Sequence, residues 1–319
     1  MKKNAKTQKG KATRMRNSKR LAKIRSQIPY WVMLLIPLAF FLLVRYWPMY
    51  GLAIAFQDYK IGDPFISSES RWAGFKWFQT LFRNPNFPRL VRNTLAINIL
   101  SILISFPISI AFALLLNEIR FKKLRNLTAN ISLLPYFIST VVIVAIIYSV
   151  LSVDDGLVNM VIQKLGGKKI NFLAESKWFR PLYIGSGIWQ NTGFNAVVFT
   201  AAISGIDPNL YEAAALDGST RFKNIFHITI PCILPTIIIM LLLRIGNIMT
   251  VGYEKIILMY TPSTYEVADV LSTYAYRAGL ENQKYSLSAA ISLINSVVNV
   301  VLLVSANKAT KKLSGSSLW

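Results

Sequence analysis

Side chains equipped for chemistry are few in this sequence, and several of them share one stretch, 209-NLYEAAALDGSTRFKNIFHITIPCILPT-236. It carries carboxylates at Glu212 and Asp217, cations at Arg221 and Lys223, the single histidine, His227, and the single cysteine, Cys232. One histidine and one cysteine exclude a His-rich metal site, a histidine proton relay, an internal disulfide and any cysteine-based cluster. No catalytic residue and no metal ligand is assigned. The adjacent acids Asp154 and Asp155 have no other acid near them in sequence and read as a helix-terminating turn. A membrane-embedded enzyme of glycan or lipid-linked sugar metabolism would need clustered carboxylates or histidines. That class stands as the alternative to the reading reached below.

A second chemistry is available from amides set inside apolar runs. "GIWQNTGFNAVVF" holds Trp189, Gln190, Asn191 and Asn195, with Asn191 and Asn195 four residues apart on one helix face. Arg244 and Asn247 interrupt the next apolar run, and Asn295 and Asn299 lie in the last. Polar groups at such depth are costly and by default mark a path or an interhelical contact. Amides and an aromatic ring suit the hydroxyls and faces of sugars, and no carboxylate cluster suggests a cation route. The candidate substrate-path residues are Trp189, Asn191, Asn195, Arg244, Asn247, Tyr253 and Asn295. Gluing one helix to another, at typically ~0.6 kcal/mol each, is the competing role for the amides. Arg244 needs a partner: an anionic sugar such as a uronate, a carboxylate of another subunit, or the headgroups to which it can snorkel. Tyr253, with Glu254 and Tyr260, is placed at the outer mouth.

The elements that must carry these groups follow from composition. The chain is 53% hydrophobic and 16% charged, against about 25% charged in a soluble domain, which points to a polytopic membrane protein. Hydropathy gives six candidate spans, near 30–54, 93–117, 129–151, 182–204, 233–251 and 285–306. Pro107 and Pro135 fall inside the second and third, where neighbouring helices can satisfy the freed carbonyls. The segments 57–92 and 152–181, rich in Trp, Phe and Arg, read as interfacial helices. Neither an internal repeat, as many secondary transporters have, nor an abundance of buried acids is visible.

The net charge of +22 is unevenly spread. Residues 1–28 hold eleven Lys/Arg and no acid, a basic cytoplasmic tail drawn to anionic lipid rather than to nucleic acid. The apolar run after it is too long for a signal peptide and reads as an uncleaved first span. With the N-terminus inside, cytoplasmic segments carry 20 Lys/Arg against 14 outside, but 9 against 14 without the tail. Charge alone therefore sets the orientation only through the tail.

Local signals divide the opening stretch in two. Asp207 is a helix N-cap, Pro208 fits the first helical position, and a helix through "NLYEAAALD" stops at Gly218. A second helix is expected from Ser219 or Thr220 through "RFKNIFHITI", ending at Pro231 and Pro235, where the fifth span begins. Ala213, Ala214 and Ala215 keep the first helix slim, able to enter a groove on another protein, with Glu212 offered to a basic partner residue.

The intervals add a family. Glu212-Ala213-Ala214, three residues, Gly218, nine residues, Ile228, one residue and Ile230-Pro231 resemble the cytoplasmic loop of permease subunits of binding-protein-dependent ABC importers. The one departure is Ile230 where that loop has Leu. From about Tyr30 onward, segments such as "YGLAIAFQDYKIG", "INFLAESKWFRP" and "YEVADVLSTYAYRAGL" look like the carbohydrate-uptake class related to maltose permeases, in a polysaccharide and oligosaccharide subgroup found mostly in Gram-positive bacteria. The resemblance implies an all-α fold of about six transmembrane helices over 29–319, with a coupling helix between spans four and five. It implies a multi-pass plasma-membrane location with both termini cytoplasmic. It implies as partners a second homologous permease, two cytoplasmic ATPases and an extracellular solute-binding lipoprotein. ATP and Mg would sit on the ATPases: the chain has no phosphate-binding loop, and 166-GGKK-169 lacks the leading Gly and the hydroxyl residue. Tyr211, Glu212, Ala213, Ala214, Ala215, Asp217, Gly218, Arg221, Ile228 and Pro231 would form the ATPase-coupling element.

Overall fold

The computed structural model describes residues 27–67, 70–315 and 317–318. The basic segment 1–28 lies outside the described residues, apart from Gln27 and Ile28, which begin the first helix. Among the described residues every regular element is helical, and the one β feature is an isolated antiparallel bridge between Gln57 and Trp72.

The chain divides into two units. One takes the residues up to Ile54 together with Ile61–Arg71, and so holds nearly all of α1, Gln27–Phe56. This helix is 30 residues long with a mean hydropathy of 2.0 in its most apolar window, and Arg45 is the one charged residue in it. It widens to a π turn at Leu42–Tyr46 and tightens to 3-10 turns from Trp47, beside Pro48, which has no N–H to give.

The second unit takes Ala55–Lys60 and the chain from Trp72 onward. Its elements in order are α2, Lys76–Phe82; α3, Phe87–Glu118; α4, Lys122–Leu133; α5, Thr140–Leu151; α6, Leu157–Lys164; α7, Ser176–Ser204; and α8, Pro208–Leu216. Then come α9, Arg221–Ile245; the short helices α10, Tyr253–Met259, α11, Tyr265–Ala268, and α12, Leu271–Tyr276; and α13, Tyr285–Ser314. Helices α1, α3, α9 and α13 are long and apolar enough to cross a membrane; a fifth span results if the bent pair α4–α5 counts as one. Helix α7 has 29 residues but is not among these, because Gln190, Asn191 and Asn195 lower its hydropathy.

Two expected spans are corrected. The third, 129–151, is not one straight helix: the chain bends by 97° between α4 and α5. Pro135 sits in a 3-10 turn, Leu134–Phe137, and Ser139 caps a new helix by accepting the N–H of Val142. Gln190 of α7 donates to the Ile138 carbonyl at the break, 3.2 Å away, satisfying that acceptor. The fifth, 233–251, begins earlier and ends sooner. One helix runs from Arg221 to Ile245 through Pro231 and Pro235, and the second loop helix is its first part. A π turn at Ile225–Thr229 shifts the hydrogen-bond pairing just ahead of Pro231, so the missing N–H does not end the helix. The helix stops at Gly246, and residues 246–252 are not helical.

Packing centres on α3 and α7. Ala113, Ala196, Phe199, Ile203 and Ile233 are buried together, with the Phe106 ring edge-on to Phe199 at 5.8 Å. A second cluster joins Ile97, Val144, Phe179, Val251, Ile256 and Met259. Lipid is as apolar as these side chains, so close van der Waals fit must hold the helices together. Gly193 provides it: a Cβ there would collide with the Ser132 carbonyl of α4.

Candidate functional site

Helix α8 and the turn after it are built from local bonds. Asp207 accepts from the N–H of Asn209 at 3.0 Å, capping α8 with Pro208 at its first turn. The far end closes at Gly218, where φ is +73° and the N–H of Ser219 reaches the Ala214 carbonyl at 2.9 Å. Nothing lies within 4 Å of an added Cβ at Gly218, so glycine is required there by conformation and not by space. Thr220 caps α9 by accepting from the N–H of Lys223, and the Tyr211 hydroxyl meets Thr229 Oγ1 at 2.9 Å, tying α8 to the π turn. Arg221 lies 3.9 Å from Glu118 at the end of α3.

What this turn displays is unusual. Glu212, Ala213, Ala215, Asp217 and Gly218 are exposed, Leu216 is 91% exposed, and Phe222 and Phe226 stand exposed with their rings 5.0 Å apart. Ala214 and Ile228 are half-buried, and Pro231 is exposed on α9.

The second feature is a cavity of about 300 Å³ bounded by α3, α7, the end of α9 and the segment 246–255. Asn191, Asn195, Arg244 and Asn247 all line it. Arg244 Nη2 donates to Asn195 Oδ1 at 2.9 Å. Asn191 donates Nδ2 to Gly187 O within α7, and Asn247, just past the end of α9, donates Nδ2 to Leu243 O. Trp189, Tyr253 and Asn295 do not line it. Trp189 is exposed on another face of α7, Tyr253 stacks on Tyr276 at 5.3 Å, and Asn295 lies on α13 with its Oδ1 buried and unpaired.

Sequence reasoning missed Asn98, Ser101 and Ser105 of α3, and also Phe106, Tyr183 and Lys255. The three polar residues of α3 fall at intervals of three and four, one helix face, a signal that was available. Lys255 had none, because the turn that brings it back over α7 follows the apolar run. Its Nζ donates to the Tyr183 carbonyl at 3.2 Å and lies 4.9 Å from the centre of the Tyr183 ring.

The unwound segment 246–252 forms one wall, and side chains from distant helices satisfy it. Asn98 donates to the Ile248 carbonyl at 2.7 Å. Asn299 accepts from the N–H of Met249 and donates to Thr250 Oγ1, both at 2.9 Å. Ser272 donates to the Val251 carbonyl at 2.9 Å. Asn299, set down as a polar residue of the last span, is thus a clamp on this wall.

Beyond the cavity, buried Asn93 of α3 donates to the carbonyls of Glu266 and Asp269 and accepts from Arg180 of α7. The Asp269 carboxylate is 4% exposed and binds Arg277 at 2.7 Å and the Thr273 hydroxyl at 2.7 Å. Burial alone would lower the Arg277 pKa; hydrogen bonds and charge from Asp269 and Tyr260 outweigh it, and the guanidinium is held more firmly protonated than usual.

Residues 105–314 match the family described as binding-protein-dependent transport system inner membrane component. The chain is 39% identical over 300 residues to the polygalacturonan/rhamnogalacturonan transport system permease protein YteP of Bacillus subtilis, an alignment covering 94% of this chain and 92% of that protein. It is similar to a chain of a bacterial alginate ABC transporter solved with an alginate pentasaccharide-bound periplasmic protein: TM-score 0.84, 40% identity, 93% of this chain and 98% of that one. A second structure, of an ABC transporter importing the acidic polysaccharide alginate, gives TM-score 0.83 and 42% identity, covering 92% of this chain and 99% of that one.

Proposed function

Since the chain belongs to the family of inner membrane components of binding-protein-dependent transport systems, we propose that it is the permease subunit of an ATP-driven importer of oligosaccharides or polysaccharide fragments. It is a transport subunit and not an enzyme. One observation carries the reading: a cavity lined by amides, hydroxyls and two cations among largely apolar helices, with a continuous α9 running from its edge to the exposed helix α8.

In this account α1, α3, the bent pair α4–α5, α7, α9 and α13 make six spans in the plasma membrane of a Gram-positive bacterium, with both termini cytoplasmic. Helix α8 is the coupling helix. Ala213 and Ala215 allow close approach of an ATPase cleft, Leu216 fills an apolar pocket, Glu212 and Asp217 meet basic groups, and Gly218 sets the turn. Arg221 and Ile228 pass movement into α9, with Tyr211 as the tie and Pro231 on the rod. The partners are a second homologous permease, two cytoplasmic ATPases that bind ATP and Mg, and an extracellular solute-binding lipoprotein. Closure of the ATPases would swing α8 and α9 as a body and open the cavity to the other side. Asn191, Asn195, Arg244 and Asn247 line the path at its centre. Trp189, Tyr253 and Asn295 fit better at the boundary with the second permease or the outer mouth.

A membrane enzyme is not favoured, because the cavity lining includes no carboxylate to act as general acid or base. The test is uptake by the reconstituted complex. ATP-dependent, vanadate-sensitive accumulation of a sugar oligomer supports the reading. Uptake driven by a proton or sodium gradient without the ATPases overturns it.

A further inference from the structure

Resting on that importer reading, we propose that Arg244 and Lys255 are two carboxylate-recognition positions at different depths of the cavity, and that the transported chain is an oligouronide with acidic groups on separate sugar residues. Both cations line the cavity, and its lining contains no Asp or Glu. Neither belongs to an ion pair among the described residues. Arg244 makes one bond, to the neutral amide of Asn195, out of the five its guanidinium can donate. Lys255 makes one, to a backbone carbonyl, out of three. Two positive charges lining one cavity repel each other, eased at Lys255 only by the Tyr183 carbonyl and ring, and no carboxylate of the lining answers either, which an anionic ligand would do.

Their separation narrows the ligand. Arg244 Nη2 is fixed at Asn195, whereas Lys255 Nζ bonds Tyr183 and lies 3.8 Å from where a Cβ on Gly187 would stand. Gly187 and Asn195 are eight residues apart on α7, roughly 12 Å along the helix axis. One carboxylate cannot bridge that distance, but a chain of acidic sugars can meet both cations at once. The same lining offers the amides of Asn191 and Asn247 to sugar hydroxyls and the Phe106 and Tyr183 rings to sugar faces. A neutral oligosaccharide would bring no opposite charge to either cation.

The experiment uses the whole importer in proteoliposomes, with its binding protein held constant and saturating. The probes are galacturonate and alginate oligomers, each beside its carboxyl-reduced neutral counterpart, and the readouts are uptake and stimulated ATP hydrolysis. The expected result is that an acidic oligomer is preferred over its reduced form. Lys255→Met and Arg244→Met should each cut that preference by about tenfold, and Lys255→Arg and Arg244→Lys should restore much of it. If a Met variant fails to assemble, the conservative variants and the wild-type preference still decide. Equal transport of reduced and acidic oligomers, or a preference unchanged in the variants, overturns this proposal and leaves the importer reading intact. ATP hydrolysis that no carbohydrate of either charge stimulates counts against the importer reading itself.

Discussion

The α8 turn and the cavity are built in opposite ways. The turn is held by bonds reaching a few residues along the chain: Asp207 to Asn209, Ser219 to Ala214, Thr220 to Lys223. The cavity wall is held by bonds spanning much of the second unit, as from Asn98 to Ile248 and from Asn299 to Met249. A locally closed turn keeps its shape while it moves, which suits an element that must transmit a push. A wall of unwound backbone clamped from several helices changes shape when any one of them shifts, which suits a gate.

Substitutions can break this contrast in graded steps. The largest effect is expected at Arg277→Met, which leaves the Asp269 carboxylate buried and unpaired beside the Asn93 network, at roughly 3–5 kcal/mol. It should lower the thermal stability of the purified complex whatever substrate is present. Next comes Asn299→Ala, which strips partners from Met249 and Thr250 at about 1–3 kcal/mol. Transport should fall while ATPase binding in pull-down assays stays normal. Gly218→Ala forces a side chain into left-handed backbone at about 1–2 kcal/mol. Here the reverse is expected: weaker ATPase docking or uncoupled hydrolysis, with membrane insertion and sugar binding unchanged. The smallest effect belongs to Asp207→Ala, the loss of one exposed cap at about 1 kcal/mol, seen as a mild loss of coupling. Were Gly218→Ala to lower stability as much as Arg277→Met, the distinction between a local turn and a clamped wall would fail.

The same contrast explains what could be read from the residues alone. Asp207, Pro208 and Gly218 specify α8 through chemistry within a turn of themselves, and the helix appears at that place. Asn191 and Asn195 could be paired by their spacing, and Arg244 stood out as a lone charge. The partnership of Arg244 with Asn195, the return of Lys255 over α7 and the clamp of Asn299 on Met249 depend on tertiary packing, which helical periodicity does not encode. The bend at Ile138 was hidden for a related reason. Pro135 permits a kink in any span, but the acceptor-seeking amide that stabilises this one, Gln190, comes from another helix. The continuous α9 shows the opposite error: two prolines suggested a boundary, but a π turn precedes Pro231 and the helix runs on through Pro235.

The central claim is that α8 couples an ATPase to the cavity from the cytoplasmic side. Leu216, 91% exposed at the end of α8, is the place to measure it. With Cys232→Ser to remove the native thiol, Leu216→Cys is labelled by a membrane-impermeant maleimide in vesicles of either orientation, with and without the ATPase subunits. The account predicts labelling from the cytoplasmic face alone, and protection once the ATPases are bound. Labelling from outside, or labelling indifferent to the ATPases, would contradict it.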